Sequence, residues 1–380
     1  MMTKKELKRF LDWPAIPESR VLSIYLNIES SGEAVLRRRF EVAFRALIQS
    51  LECEGLSTQS EHLAEDIERA SRFIAGYQPS GHGLVLFVDA SEDFLWAKEL
   101  RIPVPSQVCW LERPYVLPLL EAFDEYECYG VILVDKKRAR VFTYTLGEIA
   151  EEKGALAWND VRHFRTTGRD NMRSASKLQR TNEMHEMWHL KHVARMLKAM
   201  AKRAPFDRLI LGGAKEAIDA LSKLLSEGLR SKIVGRLLLA IDVPDEKLQK
   251  ELRQLQEQIE RQEEGKLVEK LIRPERPENH RALGLDAVLN HLNRGVIHQL
   301  IYSAAFKPAG SRCPGCGYLF SQARQMCGRC GSPIEPAPHL LEQMARRVVQ
   351  TGGTIEEVRE EAGQDLDRTG GIGAILKRRY

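Results

Sequence analysis

The chain has 380 residues, of which 43% are hydrophobic and 29% are charged, and its formal net charge is +4. This composition is that of a globular protein of two or three domains. No apolar run approaches the ~18 residues that a membrane-spanning helix needs, so no membrane partner is predicted. The N-terminal stretch MMTKKELKRFLDWP lacks the apolar core of a secretory signal, which predicts a cytoplasmic location.

The N-terminal segment, residues 1–124, is predicted to form an α/β domain. Alternating apolar residues indicate strands in RVLSIYLNIE, HGLVLFVDA and FLWAKEL, because the side chains of a strand point alternately to two faces. A helical pattern lies in LRRRFEVAFRALIQSLE, and VLPLLEAFDEYE is predicted to be the helix that leads into the next domain.

Residues 125–272 are predicted to form a central domain in which helices pack on a mixed sheet. Strands are predicted in YGVILVD, ARVFTYTLGEI, FDRLILGG and GRLLLAIDV. A helix is predicted in KEAIDALSKLLSEGL, and a longer one from about Ala175 to Ala204, where Pro205 ends it. A charged helix follows, DEKLQKELRQLQEQIERQEEGKLVEKLI. Its narrow apolar seam is expected to pack on its own domain; the seam consists of Leu248, Leu252, Leu255 and Ile259.

Positive charge is concentrated between residues 161 and 205, where eleven Lys and Arg face three Asp and Glu, a local net charge of +8. Five cations recur every three or four residues in HFRTTGRDNMRSASKLQR, namely Arg165, Arg169, Arg173, Lys177 and Arg180. A loop and helix N-terminus with this spacing could lie along the phosphates of a nucleic acid. The alternative is a solvated helix face that binds nothing.

The last segment, residues 273–380, is predicted to be a C-terminal α/β domain that carries a zinc ribbon at residues 311–333. Its stretch CPGCGYLFSQARQMCGRCG contains two Cys-x-x-Cys-Gly knuckles, formed by Cys313, Cys316, Cys327 and Cys330. Two such knuckles supply the four thiolates of a tetrahedral zinc shell, and the glycine after each pair lets the backbone turn. Because all four ligands come from protein, one structural zinc per chain is predicted.

The stretch HEMWHLKH matches the H-E-x-x-H signature of zinc metalloproteases with His185, Glu186 and His189. A zinc protease also needs a third ligand, and the metzincin continuation is missing. The preferred interpretation is an amphipathic helix. Its predicted apolar stripe is Met187, Leu190, Val193, Ala194, Leu197 and Ala201. Its predicted basic edge is Trp188, Lys191, Arg195, Lys198 and Lys202.

Three stretches resemble the archaeo-eukaryotic class-1 release factor and Pelota family, in a bacterial branch. The C-terminal TGGIGAILKRRY is similar to the closing strand of that family. LGLDAVLNHLNRGVIHQLIYSAAF is similar to the opening helix and strand of its third domain. GRDNMRSASKLQRTNEMHEMWHLKHVARML is similar to its Gly-Arg-Gly-Gly-Gln loop and the basic helix that follows.

The resemblance implies an α/β protein of three domains: an N-terminal domain that reaches the decoding centre, a central ribonuclease-H-like domain and a C-terminal domain with an inserted zinc ribbon. The third domain contacts a translational GTPase in that family. The implied RNA contacts are made by the central loop and helix; they are Arg165, Gly168, Arg169, Asn171, Met172, Arg173, Lys177, Arg180, Lys191 and Arg195.

Gly168 and Arg169 match the family loop, but Asp170, Asn171 and Met172 stand where the family has Gly-Gly-Gln. Peptidyl-tRNA hydrolysis depends on that tip, so we expect no enzyme activity and no small-molecule substrate. Bacterial relatives without the tip include ribosome hibernation factors, which occupy the ribosomal A site together with elongation factor Tu. A binding-only factor of this kind, responding to stress, is therefore expected. The alternatives are a rescue factor that hydrolyses peptidyl-tRNA with a non-standard tip, and a metalloprotease.

Overall fold

The computed structural model describes residues 4–14, 19–28, 33–53, 61–78, 81–125, 127–151, 171–203, 206–273 and 280–377. The fold is mixed α/β with several sheets, as predicted. The chain divides into two compact units. One comprises Met1–Glu125 and Glu260–Tyr380, and the other comprises Tyr126–Ile259. The predicted three-domain boundaries stay a prediction. Within the described residues, no helix combines the length and the apolar character needed to cross a membrane.

The N-terminal part of the first unit is an antiparallel sheet of order β3-β2-β1-β4, with two helices packed on one face. Its elements are α1 (Lys4–Leu11), β1 (Val21–Asn27), α2 (Glu33–Cys53), α3 (Glu61–Gly76), β2 (Gly83–Asp89), β3 (Phe94–Leu100), β4 (Gln107–Leu111) and α4 (Leu117–Glu125). Leu22, Ile24 and Leu26 of β1 point to α2 and α3 in one core. Tyr25, between them, points to the other face and meets Phe87 of β2 edge-on. The alternation that predicted this strand therefore reflects two apolar faces.

The C-terminal part of the same unit contains two sheets. Its elements are β10 (Arg281–Leu283), α9 (Leu285–Leu292), β11 (Ile297–Ser303), β12 (Ser311–Arg312), β13 (Leu319–Phe320), β14 (Glu335–Pro336), α10 (Leu340–Gln350), β15 (Thr354–Val358), α11 (Glu360–Asp367) and β16 (Ile372–Leu376). The larger sheet has the order β10-β16-β11-β15, and the small sheet β13-β12-β14 carries the cysteine turns. The predicted opening helix, strand and closing strand correspond to α9, β11 and β16, whereas β15 and α11 were not predicted.

The second unit is a mixed sheet of order β7-β6-β5-β8-β9, in which β5, β8 and β9 run parallel. Its elements are β5 (Tyr129–Val134), β6 (Ala139–Thr145), β7 (Glu148–Glu151), α5 (Asn171–Arg203), β8 (Arg208–Gly213), α6 (Lys215–Leu224), α7 (Glu227–Arg230), β9 (Ile233–Leu237) and the first part of α8 (Asp245–Ile272). The cores lie on the two faces of the sheet. Helices α5, α6 and α7 cover one face, and α8 covers the other with Leu248 and Leu252. This confirms the prediction that the α8 seam packs on its own domain.

Three predicted elements of this unit differ in extent. The strand predicted in ARVFTYTLGEI is two strands, because Leu146 and Gly147 adopt left-handed φ angles of 50° and 74° and reverse the chain. The helix predicted in KEAIDALSKLLSEGL is interrupted after Leu224, since Leu225 and Ser226 are extended. The strand predicted in GRLLLAIDV ends at Leu237.

Candidate metal centre and nucleic-acid interface

The four cysteines of the ribbon converge on one point. The Sγ atoms of Cys313 and Cys330 are 3.4 Å apart, those of Cys316 and Cys327 are 3.6 Å apart, and all four lie within 4.8 Å of one another. A tetrahedral shell with zinc–sulfur bonds of about 2.3 Å separates its sulfurs by about 3.8 Å. The four side chains can therefore hold one tetrahedral metal ion.

The two cysteine turns share one backbone geometry. The Gly317 N–H donates to the Cys313 carbonyl, and the Gly331 N–H donates to the Cys327 carbonyl, each at 2.8 Å. Both glycines are left-handed, with φ of 70° and 77°, a region that glycine enters without steric cost. The predicted turning role of the glycine after each pair is confirmed.

Hydrogen bonds lower the thiol pKa of two of the four cysteines. The pKa of Cys316 is instead raised to about 11: a backbone hydrogen bond from Tyr318 lowers it, but desolvation and hydrogen bonds with the other three thiols outweigh that effect. The Ser332 hydroxyl lies 3.5 Å from the Cys330 sulfur and lowers the pKa of that thiol to about 6. Backbone amides of Arg329 and Cys330 lower the pKa of Cys327. Because metals bind the deprotonated sulfur, these bonds favour metal binding at Cys327 and Cys330.

A half-buried hydrogen-bond network connects the first cysteine turn to the neighbouring helices. The Arg347 guanidinium of α10 donates to the Gly317 carbonyl and, at 2.9 Å, to Asn293 Oδ1. Asn293 Nδ2 donates to the Leu319 carbonyl at 2.8 Å, and the Leu319 N–H returns a bond to Asn293 Oδ1. A guanidinium also opposes the negative charge of a four-thiolate centre. The spacing of the cysteines gives no signal for Arg347 or Asn293, since the contacts depend on the fold.

Helix α5 buries most of the predicted apolar stripe, with Ala194 and Ala201 partly buried against the same core. Leu190, Val193 and Leu197 are buried as expected. The prediction for Met187 is wrong: it is 41% exposed, whereas His189 is buried. The His189 ring hydrogen-bonds to the backbone of Arg138, in the turn between β5 and β6, and burial lowers its pKa. His189 thus joins the buried face of the helix, next to Leu190.

The basic edge of α5 is exposed along its described length. Met184, Trp188, Lys191, Arg195 and Lys198 follow one another at steps of three and four residues and form one solvent-facing stripe. Trp188 is 54% exposed. Its ring meets the His185 ring edge-on at a centroid distance of 5.7 Å. The predicted basic edge therefore faces solvent with an aromatic ring in its middle.

This stripe forms one wall of a groove of about 650 Å³. The same wall contributes Trp188, Lys191, Ala194, Arg195 and Lys198. The opposite wall comes from the connection between α6 and α7 and consists of Leu224, Leu225, Ser226 and Leu229. The second wall has no signal in the sequence, because only the packing of α6 on α5 brings these residues beside the basic edge.

The predicted RNA contacts fall into three groups. Lys191 and Arg195 are exposed on α5, beside the groove. Five others lie in the first turns of α5, and nothing is described of their side chains; they are Asn171, Met172, Arg173, Lys177 and Arg180. Arg165, Gly168 and Arg169 lie outside the described residues. The RNA contacts stay a prediction for all ten residues.

The H-E-x-x-H residues do not assemble a metal site within the described part of the chain. Glu186 lies 3.9 Å from the Lys136 ammonium, and His189 Nε2 is buried without a hydrogen-bond partner there. Of the residues the structure describes, only the four ribbon cysteines form a group of three or more potential metal ligands. No third ligand thus accompanies His185 and His189 in these ranges.

The central segment has a family match. Residues 114–264 match the model of bacterial archaeo-eukaryotic release factor family 10. These residues contain α4, the whole sheet of the second unit and α5 with its basic edge. No curated protein matches the chain.

Solved structures of Pelota proteins share a distant likeness with the chain. An archaeal Pelota, from a model with the ribosome and ABCE1, is 14% identical over 99% of this chain and 94% of its own, with a TM-score of 0.42. Dom34 of S. cerevisiae, a translation termination-like factor that interacts with Hbs1, is 10% identical over 78% and 86%, with a TM-score of 0.37. Pelota of Archaeoglobus fulgidus is 15% identical over 78% and 79%, with a TM-score of 0.32.

These identities and TM-scores are low, so the assignment depends on the central match. Through residues 114–264, the chain is similar to bacterial archaeo-eukaryotic release factor family 10.

Proposed function

We propose that the protein is a ribosome-binding translation factor that occupies the A site as a hibernation factor. The observation that carries this proposal is the exposed cationic edge of α5, which lies within the segment that matches the release-factor family. The sequence resembles Balon, a hibernation factor that lacks the Gly-Gly-Gln tip. By that resemblance, the ribosomal partner is rRNA in the A site and the accompanying GTPase is elongation factor Tu.

The physical basis of binding is charge. Lys191, Arg195 and Lys198 are exposed on one edge, where each can replace condensed counterions at a phosphate. Phosphate contacts position a protein on RNA without reading sequence. Affinity that comes from them falls steeply as salt rises.

The cysteine centre has a structural role in this proposal. Its four thiolates fit zinc and leave no position for a reacting water, so the ion would hold the two turns of the ribbon together. The hydrogen bonds of Asn293 and Arg347 would then fix the position of the first cysteine turn relative to α9 and α10. Zinc is thus proposed as the resident ion, one per chain.

Co-sedimentation with bacterial ribosomes at increasing salt tests the proposal. Wild-type protein is expected in the ribosome pellet at low salt. The double variant Lys191→Glu/Arg195→Glu is expected to pellet weakly, with a salt slope lower by about 0.7 to 0.9 for each lost phosphate contact. The control Lys247→Glu/Lys250→Glu makes the same charge change on exposed positions of α8. Equal losses in both variants, or no pelleting of wild type, would reject the proposed surface.

Absence of hydrolysis is a separate part of the proposal. It is supported by Asp170, Asn171 and Met172 in place of Gly-Gly-Gln. Stalled ribosomes that carry a labelled nascent peptide should keep that peptide when the protein is added. Peptide release that disappears in Asn171→Ala would instead establish the rescue function.

A further inference from the structure

We propose that the groove between α5 and the α6–α7 connection binds one unpaired nucleotide of an RNA chain. The base stacks on Trp188, and the flanking phosphates lie against Lys191, Arg195 and Lys198. The inference deepens the proposed ribosome-binding function and rests on it for the source of the RNA.

The first observation that supports a nucleotide in this groove is the exposure of Trp188. A tryptophan that is 54% exposed lies in the middle of a cationic edge. Its ring meets the His185 ring edge-on, with an interplanar angle of 87°. An exposed flat aromatic ring is a platform on which any base can stack.

The second observation is the wall from the α6–α7 connection, whose surface is complementary to a nucleotide base. Leu225 and Leu229 line the groove but are only 3% and 6% exposed, so the half-buried Leu224 supplies most of the apolar surface of this wall. Ser226 lies between Leu225 and Leu229 at the start of α7, and its hydroxyl makes no capping hydrogen bond. An apolar slot with a single polar group at its margin suits an aromatic ring that has hydrogen-bonding edges.

The charge of the groove indicates whether its partner is a nucleic acid or a protein. Among the described residues, three cations line the groove and no carboxylate does. Within the described ranges, Lys191, Arg195 and Lys198 form no ion pair that would neutralise them. An excess of positive charge around an aromatic ring is the pattern of single-stranded nucleic-acid sites. A protein segment would need unusual acidity to match it.

The shape of the groove indicates whether the bound nucleotide is base-paired or unpaired. A duplex keeps its bases stacked inside and offers only phosphates to such a surface, whereas a loop can turn a base out. The groove has the volume of a small-ligand pocket, about 650 Å³, which is more than a single base occupies. The ligand is therefore an unpaired nucleotide and not a helix.

The test compares two labelled RNAs that carry equal numbers of phosphates, a hairpin with an unpaired loop and a fully paired duplex. Trp188→Ala should weaken hairpin binding about tenfold, within the range of base–aromatic stacking, and leave duplex binding unchanged. Trp188→Phe should retain most of the hairpin affinity. Leu238→Ala removes a side chain that is 71% exposed outside the groove and should change neither affinity.

Several results would overturn the inference. Hairpin binding that Trp188→Ala leaves intact excludes stacking, even if wild-type protein still pellets with ribosomes and the proposed function stands. Loss of ribosome pelleting in Trp188→Ala with intact hairpin binding would assign the groove to a protein. Competition by AMP as strong as by unlabelled hairpin would assign it to a free nucleotide. Conversely, Trp188-dependent hairpin binding by a protein that does not pellet with ribosomes would support the RNA site and reject the proposed function.

Discussion

Replacing Arg346 should unfold the first unit at lower denaturant, because this buried side chain joins the two ends of the chain. Its guanidinium donates to the carbonyls of Phe10 and Leu11 at 2.9 and 2.8 Å, and to the carbonyl of Pro114 at 2.6 Å. It also pairs with Glu342, one turn earlier on α10, at 2.8 Å. Both members of the pair are only 6% exposed.

The expected loss follows from what the substitution leaves behind. Arg346→Met strands the Glu342 carboxylate in the interior and removes a donor from three backbone carbonyls. Breaking a buried ion pair by removing one partner costs about 3–5 kcal/mol. The double variant Arg346→Met/Glu342→Met removes both charges, so it should be less destabilised than the single variant.

Urea unfolding followed by fluorescence measures the effect, since Trp13, Trp96 and Trp110 all lie in this unit. The control Arg368→Met breaks an ion pair with Asp365 whose arginine side chain is 74% exposed. It should cost less than about 1 kcal/mol. If Arg346→Met lowers the free energy of unfolding no more than the control does, the buried ion pair and its hydrogen bonds do not stabilise the unit as proposed. A double variant less stable than the single variant would contradict the proposal equally.

Three further predictions concern titration and metal binding. Burial and the neighbouring Glu357 raise the pKa of Glu121 from 4.5 to about 8; the folded state therefore keeps an extra proton, and stability should fall as pH rises through this interval. Glu121→Gln should flatten that fall, as measured by urea midpoints across the interval, and an unchanged pH slope would contradict it. Cys316→Ser should lower the zinc content of the purified protein from one ion per chain toward none, as elemental analysis would show, and undiminished zinc would place the ion elsewhere. His189→Leu should leave the zinc content unchanged but lower the urea midpoint, because it removes the buried hydrogen bond to the Arg138 backbone; loss of a second zinc would revive the protease hypothesis.

The cysteine centre was predictable because its geometry is local. Each pair lies three residues apart on one tight turn, and each is followed by the glycine that the turn requires. The strands β1, β2 and β5 were predictable for a similar reason, since apolar content and length already separate a buried strand from its flanking turns. The basic edge of α5 likewise follows from a 3.6-residue period.

The rest depends on contacts between distant parts of the chain. The burial of His189 on α5 depends on a hydrogen bond with the backbone of the β5–β6 turn, which lies more than 40 residues earlier in the chain. Arg346 donates a hydrogen bond to the carbonyl of Phe10, which lies 336 positions earlier in the chain. The wall opposite Trp188 exists because α6 packs on α5. The spacing of apolar residues identifies a helix and its apolar face, but it does not show that the β5–β6 turn will bury the imidazole of His189.

Cryo-electron microscopy of bacterial ribosomes incubated with the protein and elongation factor Tu tests the central claim most directly. We expect density for the chain in the A site, with the edge of α5 that bears Lys191 and Arg195 against rRNA phosphates and Trp188 beside an unpaired base. A map with an empty A site under low-salt conditions would contradict it. Density that binds the ribosome through another face of the protein would contradict it equally.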